Sequence, residues 1–571
     1  MKKYKKKIVN IDELQVPILI FFFLIFFFSC YSNFIELEPR SDQIRHISWL
    51  NNIINSDHFI NFNNYFPTFV GDKSGFLFEL LKVAGHKGDY HAYLFQINSI
   101  ITIYFFSLFI KNDLIFVYNF TSITFSSLTL FLCYYLSKNI LLSLKIIINK
   151  SLIALIVCLL FFSYYKYYFS SLGNHNIANF FFLLTIIIFE KLLYKKKNKL
   201  KNFFYVGCIV TFASYFHLMI AILLIPSFGA HLLLDKIFRN RDIYKKITLY
   251  SLGVFLFLIP FFLIIIFTLV STEGYSFEFL LGDEINYSTY LRKILNWFFQ
   301  LINLNGYIII FFIVALLFKI SSFKSRIINL LLTIILVHFI LNILLNIIQI
   351  SYIRNYYYIH HILIILSTIF LYKYCITDKN LHIKIILISA LILNFYLNLN
   401  LILNNKEFLK KNSYFYNLYF NKQGELKRTI KYLIDSNVIN RNYNIIFFNQ
   451  LTIDYFKIYA SEIYYLSKSY DNLLSIEEVS RNSDNYSKKK ISQFLIINSN
   501  HYIISIEDEP SQIILTFNNL KKKKLIDERC NIEHPLFQKK ILPEWFSGDY
   551  EKKLIINKIN CLNIPELKIK N

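Results

Sequence analysis

The sequence predicts a polytopic α-helical membrane protein of about eleven transmembrane helices, with a soluble α/β domain at its C-terminal end. Apolar runs long enough to cross a bilayer recur from Val16 to Ile402. The 571 residues are 55% hydrophobic and 17% charged, with a mean hydropathy of +0.43, whereas a soluble protein of this length would carry more charge. A polar segment of about 165 residues follows, which is long enough for one soluble domain. We therefore divide the chain into a membrane domain over 1–404 and an outer domain over 405–571.

The net charge of +24 is placed where it orients a membrane protein, and we expect no nucleic-acid partner. Much of it lies in short basic turns between apolar runs, and such turns stay on the cytoplasmic side. The seven cysteines show no metal-ligand spacing. Those within or beside apolar runs are expected to be small core residues. Cys530 and Cys561 lie in the polar tail and could pair if that tail faces an oxidising compartment.

The first apolar run, Val16–Tyr31, is expected to be an uncleaved transmembrane helix that starts in the cytoplasm. Five lysines between Lys2 and Lys7 precede it, which places its beginning inside. A cleaved signal peptide is the alternative. The run lacks the usual small-residue cleavage pattern, and further spans follow, so the uncleaved helix is favoured.

The region from 32 to 113 is predicted to be a large first outer loop, rich in acidic residues. Within it, Leu94–Ile110 is apolar but only 17 residues long, and Gln96 and Asn98 interrupt it. If this segment crossed the membrane, the basic turns that follow would lie outside. The positive-inside rule therefore predicts that the segment lies on the membrane surface or re-enters.

The same rule assigns the later spans. Basic turns such as Lys191–Lys201 and Lys236–Lys246 then face the cytoplasm, and everything after Asn404 lies outside. The stretch 203–235 is divided around His217 and Leu218, because a single crossing would invert every later loop. The predicted spans after the first are 114–136, 151–169, 177–194, 203–217, 219–235, 247–270, 297–318, 327–350, 356–373 and 385–402.

The tail is predicted to be mixed α/β, because two periodicities alternate along it. Leu426–Ser436, Thr452–Ser461 and Ser511–Lys524 have helical spacing of their apolar residues. Asn444–Asn449 and Tyr502–Ile506 have the pattern of strands. The sequence contains no glycine-rich phosphate loop and no Gly-x-Ser-x-Gly motif, so nothing in the tail itself indicates catalysis.

The stretch that follows the first helix, from Glu36 to His58, carries the strongest chemical signal. Asp42, Arg45, His46 and Trp49 recur at helical spacing, so they share one face if this segment is a helix. The residues of an apolar face are Ile44, Ile47, Leu50 and Ile54. A helix with these two faces lies on a membrane surface with its polar side toward water. It could be a solvated amphipathic connector; the sharper hypothesis is that Asp42 is a catalytic base.

Further polar groups collect on the predicted outer side. His175 stands between two asparagines before the span at 177, and Arg354 precedes Tyr356 at the start of another span. Arginine suits phosphate because its planar group donates two hydrogen bonds at once. An arginine here could equally anchor a helix at the membrane interface. His360 and His361 are expected to be packed histidines rather than metal ligands.

A carboxylate at the lipid surface beside a cation suits one class of reaction. The carboxylate accepts a proton from an attacking hydroxyl, and the cation holds the phosphate of a lipid-linked leaving group. Acids, histidines and one arginine on a single side of the membrane provide these groups together.

The chain resembles the GT-C superfamily of membrane glycosyltransferases, which use polyprenyl-phosphate-linked sugars. The resemblance lies in the lysine-led first helix, the long outer loop with an acid soon after it, the surface helices, the many spans and the soluble outer domain. The turn 174–176 is similar in place to the family's second polar outer turn. The segment Arg354-Asn355-Tyr356 resembles the one that faces the lipid phosphate.

The resemblance implies roles for particular residues. Asp42 would be the base or a ligand of Mg²⁺ or Mn²⁺, with Glu36 or Glu38 as replacements. The family often has a pair of acids where this chain has Asp42-Gln43, so the metal requirement stays open. The residues implied for substrate binding are Arg45, His46, His175, Arg354 and Tyr356.

The implied partners are a polyprenyl-phosphate-sugar donor, a lipid-linked glycan or protein acceptor, and membrane lipid. The expected location is the cell's inner (plasma) membrane, with the outer domain in the periplasm or outside. Two other classes stay open. An envelope polysaccharide polymerase or ligase relies on arginine-rich outer loops, whereas the loops here are led by acids. A transporter usually shows paired broken helices and internal symmetry, and the sequence indicates neither.

Overall fold

The computed structural model shows a helical bundle and a separate five-stranded sheet. It describes residues 14–35, 47, 50, 97–110, 113–163, 166–167, 170, 173–195, 200–234, 242–271, 325–347, 357–377, 381–403, 425–436, 438, 444–448, 452, 456, 501–507, 510–522, 530–533, 535–543 and 551–561. The helices of the bundle are α1 (Gln15–Phe34), α2 (Ile97–Phe109), α3 (Leu114–Ser143), α4 (Lys150–Phe161), α5 (Gly173–Glu190, continued by a π-helical turn Lys191–Lys195), α6 (Leu200–Ser214), α7 (Leu218–Leu234), α8 (Ile243–Ser271), α9 (Arg326–Ile347), α10 (Tyr357–Thr377) and α11 (Leu381–Leu403).

Among the described residues, three helices are long and apolar enough to cross a membrane by length and composition: Gln15–Phe34, Leu114–Ser143 and Gly173–Leu193. The 20 residues of α1 rise about 30 Å, which equals the thickness of a hydrocarbon core. Its buried side pairs with α3, where the Tyr134 hydroxyl donates to Gln15 Oε1 at one end and Asn119 Nδ2 donates to the Ile35 carbonyl (3.0 Å) at the other. These two contacts fix α1 along the part of α3 between Asn119 and Tyr134.

The short helix α2 lies against the α6–α7 turn. Asn98 Nδ2 donates to the Phe212 carbonyl (3.1 Å), and Ser99 Oγ donates to the Phe216 carbonyl (2.8 Å). Its 13 residues rise about 20 Å, which is less than a hydrocarbon core. The placement of Leu94–Ile110 on the surface or as a re-entrant segment stays a prediction.

Each predicted span within the described residues overlaps a helix, and two differ clearly in length. The span predicted over 114–136 is α3, which continues to Ser143. The break expected around His217 is present, since α6 ends at Ser214 and α7 begins at Leu218. The prediction of a continuous span over 151–169 is wrong at its C-terminal end, because α4 ends at Phe161. The chain leaves the helix at Phe162 and Ser163, and Lys166 and Tyr167 are helical again. The predicted span 297–318 lies outside the described residues.

Helices α6 and α8 pack with their backbones in close approach. A Cβ atom added at Gly207 would overlap the Tyr250 carbonyl oxygen, and one at Gly253 would overlap the Phe204 carbonyl oxygen. The Thr211 hydroxyl reaches across to the Val254 carbonyl at 3.4 Å. Small residues that let backbones touch are a common means of helix association in membranes.

Substituting Gly207 with alanine should therefore destabilise the bundle, by about 1–3 kcal/mol of overpacking. Gly229 is the matched control, because it is also helical and an added Cβ would meet Tyr250 Cε1 at an ordinary 3.7 Å. Both changes gain the same helix propensity. Fluorescence-detected size-exclusion after heating should show a lower melting point for Gly207→Ala only. Equal melting points would refute the close approach.

The C-terminal part contains α12 (Glu425–Asp435), α13 (Pro510–Lys522) and one sheet. Its strands are β1 (Asn444–Phe447), β2 (His501–Glu507), β3 (Cys530–Ile532), β4 (Phe537–Pro543) and β5 (Glu551–Cys561). The sheet order is β1-β2-β5-β3, with β4 also paired to β5. β1 and β2 are parallel, and β5 is antiparallel to β2, β3 and β4. Ile503, Phe517 and Ile555 are among the residues that form its core.

A disulfide joins this sheet covalently. Cys530 is buried and disulfide-bonded, and the β3–β5 register places Cys561 directly opposite it. Opposed residues of antiparallel strands lie at a separation that a disulfide spans without strain. The pairing that the sequence left open is therefore the one that the sheet favours.

Candidate functional site

A polar segment follows α4, a helix too short to cross a bilayer core. We call the described residues Phe162, Ser163, Lys166, Tyr167 and Ser170 the polar turn. The 12 residues of α4 rise only about 18 Å, well short of a bilayer core.

Aromatic contacts show where this turn runs. At its near end, Phe26 lies with its ring centroid 5.1 Å from that of Phe161. At its far end, Phe34 lies 4.9 Å from Tyr167. The polar turn therefore follows the last part of α1 and lies within the bundle.

The backbone leaves the helix at Phe162 and Ser163 and is helical again at Lys166 and Tyr167. Inside a membrane bundle, backbone polar groups that lose their helical partners must be satisfied by protein or by water. Side chains of neighbouring helices contribute here. The Ser122 hydroxyl of α3 donates to the Ser170 carbonyl (3.0 Å), and Asn176 Nδ2 of α5 donates to the same oxygen (3.2 Å). The Ser163 amide donates to the Phe161 carbonyl (2.8 Å). The turn is thus held by side chains of α3 and α5.

Entry into α5 depends on one glycine. Gly173 has φ +30°, and an added Cβ would overlap the Tyr118 hydroxyl. The next residue, Asn174, donates its amide to that hydroxyl (3.3 Å). A side chain at 173 would push α5 away from α3 and open the cluster described next.

Lys166 is the only charged member of the polar turn's described residues, and it is fully buried. Its ammonium donates to the Tyr357 hydroxyl and lies over the rings of Tyr357 (4.7 Å) and Phe161 (5.2 Å). Its backbone amide donates to Ser163 Oγ (3.1 Å). The lysine is therefore fixed at both its backbone and its tip.

A chain of hydrogen bonds leads away from this ammonium. The Tyr357 hydroxyl donates a hydrogen bond to Asn176 Oδ1 (2.5 Å), and Asn176 Nδ2 donates one to Ser122 Oγ (2.8 Å). The hydroxyls of Ser126 and Ser170 pair at 2.6 Å beside it. All of these partners are neutral, so Lys166 supplies the charge of this cluster.

His360 and His361 close the cluster from α10. His360 Nε2 pairs with Ser163 Oγ (2.8 Å), and His361 Nδ1 pairs with Asn179 Nδ2 (2.8 Å). Both side chains are fully buried. Among the described residues, no group of three or more His, Cys, Asp or Glu side chains could hold a metal ion. The two histidines are packed and hydrogen-bonded, as the sequence led us to expect.

His175 lies one residue before Asn176 of the cluster, but it packs toward the α6–α7 turn. It is buried, and its ring centroid is 4.2 Å from that of His217. The His217 ring is in turn 6.0 Å from that of Tyr358, the neighbour of Tyr357. His175 therefore belongs to a second layer behind the cluster.

No protein-family model matches the sequence, and no curated protein matches it. Two solved structures are similar in fold, both of ArnT from Cupriavidus metallidurans. The form bound to undecaprenyl phosphate matches with a TM-score of 0.50 at 8% identity, over 95% of this chain and 97% of that one. The apo form gives 0.49 at 9% identity over the same shares.

The chain has the fold of ArnT. At 8% identity this likeness concerns the fold alone. It covers nearly the whole of both chains, and so includes the bundle and the tail.

Most of the site residues that the sequence indicates lie outside the described residues: Glu36, Glu38, Asp42, Arg45, His46, Arg354 and Tyr356. The structure does describe residues on either side of the stretch that contains the acids. Ile35, the residue before Glu36, is held by Asn119 of α3. Ile47 and Leu50, of the predicted apolar face, are buried in the bundle's core.

Sequence analysis overlooked Lys166, because it assigned the lysine to the end of the predicted span 151–169. The available signal was a charged residue within an apolar run, followed by serines and a glycine. Ionisable residues inside membrane segments usually mark function. Ser122, Ser126 and Asn179 carried no such signal, because single polar residues in helices are common.

Proposed function

We propose that this protein is an integral-membrane glycosyltransferase, which moves a sugar from a polyprenyl-phosphate donor to an acceptor on the extracytoplasmic side. The observation that carries the proposal is the fold shared with ArnT over 95% of the chain, in a structure that holds undecaprenyl phosphate. The buried polar cluster at the C-terminal end of α1 supports it. A purely apolar bundle would not need such a cluster.

Asp42 is proposed as the base, with Glu36 and Glu38 as replacements. The acceptor hydroxyl gives its proton to the carboxylate, and its oxygen forms a bond to the anomeric carbon. The bond from that carbon to the phosphate oxygen breaks, and polyprenyl phosphate leaves with the electron pair. Ile35 ends α1 against Asn119, and Ile47 and Leu50 are buried, so the chain around Asp42 is held to the bundle on both sides.

The donor and acceptor would be bound by residues around this base. Arg354 and Tyr356 precede α10, whose first residue, Tyr357, receives the Lys166 ammonium. Arg354 is proposed to hold the donor phosphate with Tyr356 beside it. Arg45, His46 and His175 are proposed as further substrate ligands. The donor sugar is a hexose or a pentose, and the acceptor is a lipid-linked glycan or a protein.

The proposal leaves Mg²⁺ or Mn²⁺ as an optional component. The described residues offer no cluster of three metal-binding side chains, and the buried cluster is led by a lysine, which repels a cation. A divalent ion would therefore have to be bound by acids of the first outer loop, with Asp42 as its ligand. No step proposed here depends on it.

The test is a transfer assay with the purified chain and a panel of polyprenyl-phosphate sugars, each carrying a labelled sugar. We expect the label to move from the lipid to an acceptor in membrane extracts, with release of polyprenyl phosphate. Boiled protein is the control. Labelled sugar that crosses sealed vesicles still attached to its lipid, without transfer, would instead support a transporter.

A further inference from the structure

The buried amine of Lys166 has no anionic partner among the described residues. Its side chain is fully buried, and no carboxylate of the described chain lies at ion-pair distance. An ammonium has three donor hydrogens, and the Tyr357 hydroxyl takes one of them. Tyr357 in turn donates to Asn176, so it acts toward the lysine only as an acceptor.

A cation buried without an anion is costly, because the surrounding protein replaces little of the lost hydration. The rings of Tyr357 and Phe161 offset part of that cost, at 4.7 and 5.2 Å. They cannot neutralise the charge. An anionic ligand at this position would do so and would take the remaining hydrogen bonds.

The position of the polar turn along α1 favours one class of ligand. Lys166 lies between Phe161, which packs on Phe26, and Tyr167, which packs on Phe34 at the C-terminal end of α1. The 20 residues of α1 rise about 30 Å, the thickness of a hydrocarbon core, so this end of α1 lies near one face of that core. The phosphate of a lipid lies at such a face, where its oxygens accept charge-assisted bonds while its chain stays in the bilayer.

We propose that Lys166 binds the phosphate of a polyprenyl-phosphate lipid, with Tyr357 and Asn176 fixing the direction of its ammonium. The assignment rests on the proposed function and adds a second cation to the site, beside Arg354. It also explains why an otherwise neutral cluster is built around one lysine.

The competing occupant is a carboxylate of this chain's own first outer loop. The two cases respond differently to the substitution Lys166→Met. Removing one partner of a buried ion pair leaves the other charge unpaired and destabilises the protein. If the amine instead binds a ligand, the substitution leaves an apolar side chain of similar length in its place. The ligand-free protein then keeps or gains stability.

The experiment uses the full chain purified in detergent, as the parent, Lys166→Met and Lys246→Met. Lys246 is the matched control, because it is also buried and lies over a ring, that of Phe203 at 5.9 Å. Melting points are measured without ligand. Dissociation constants are then measured for undecaprenyl phosphate, for the neutral lipid undecaprenol and for inorganic phosphate.

We expect Lys166→Met to melt at or above the parent's temperature and to bind undecaprenyl phosphate about 10–100-fold more weakly, the effect of one charge-assisted bond. Undecaprenol binding should not change, and Lys246→Met should match the parent throughout. Inorganic phosphate that bound as tightly as undecaprenyl phosphate would make the ligand a free anion and overturn the lipid assignment.

Two further results would overturn the proposal. A Lys166→Met protein that melts several degrees lower, or fails to fold, would show that the lysine pairs with an internal acid. Unchanged affinity for undecaprenyl phosphate would show that it is structural. Neither result touches the proposed function, which stands or falls by transfer of labelled sugar in the parent protein.

Discussion

Replacing Asp42 with asparagine should lower sugar transfer by about 10²–10⁴-fold, the usual contribution of a general base. The amide keeps the size and shape of the side chain but cannot accept the acceptor's proton. We expect the protein to fold, because the described contacts on either side of this stretch, of Ile35 with Asn119 and of the buried Ile47 and Leu50, do not use the Asp42 side chain. Initial rates of transfer, with expression and melting point measured alongside, check the prediction.

Glu36→Gln and Glu38→Gln are the matched controls, since each removes one acid from the same loop. If Asp42 is the base, both should be milder than Asp42→Asn. Loss of activity on chelation, restored by Mg²⁺ or Mn²⁺, would assign Asp42 to a metal ion instead. An Asp42→Asn protein with full activity would leave the Glu36–His58 stretch as an amphipathic connector and move the base to another acid.

Removing the disulfide should weaken the attachment of strand β3 to the rest of the sheet. Strand β3 has three residues and pairs only with β5, so Cys530 opposite Cys561 supplies its covalent attachment. A bridge closing a loop of this size contributes about 3–4 kcal/mol. Cys530→Ser and Cys561→Ser should each make the sheet more sensitive to limited proteolysis, and the double variant should be no worse than either. Cys208→Ser, which alters a free cysteine of the bundle, is the control.

The same bond tests the predicted topology. Disulfides persist in oxidising compartments and are rare in the cytosol. In protein taken from membranes, Cys530 and Cys561 should therefore resist a thiol reagent until a reductant is added. A periplasm-specific reporter fused after Ile402 should be active as well. Two free thiols together with a silent reporter would place the tail in the cytoplasm. That result would contradict the proposal that sugar transfer takes place on the extracytoplasmic side.

Local patterns of hydropathy and charge were sufficient to predict most helices of the bundle. The helices around 203–235 could be separated at His217 because the basic turns on either side required two crossings, and the structure breaks the chain between Ser214 and Leu218. The span at 151–169 failed because hydropathy continues where the helix does not. Tyrosine and phenylalanine keep the run apolar, while the side chains that hold the Ser170 carbonyl beyond the break, Ser122 and Asn176, are distant in sequence or belong to the next helix.

Prediction of the sheet was limited in the same way. Strands β1 and β2 could be predicted from the sequence because they are apolar runs. Strand β5 was not, because lysine and asparagine alternate with its isoleucines, yet it is the strand that pairs with β2, β3 and β4. Partners so far apart in the chain leave no periodicity in a window of a few residues. The Lys166 cluster is equally non-local, since it draws on α3, α5 and α10 at once.

The helices packed around the polar turn also limit which insertions and deletions this protein can accept in evolution. Connecting segments usually accept insertions and deletions, because they run over the surface. This one is enclosed by α1, α3, α5 and α10, and it ends at a glycine that has no room for a side chain. Related chains should therefore vary in the length of their other connections while the spacing between Phe161 and Gly173 stays the same.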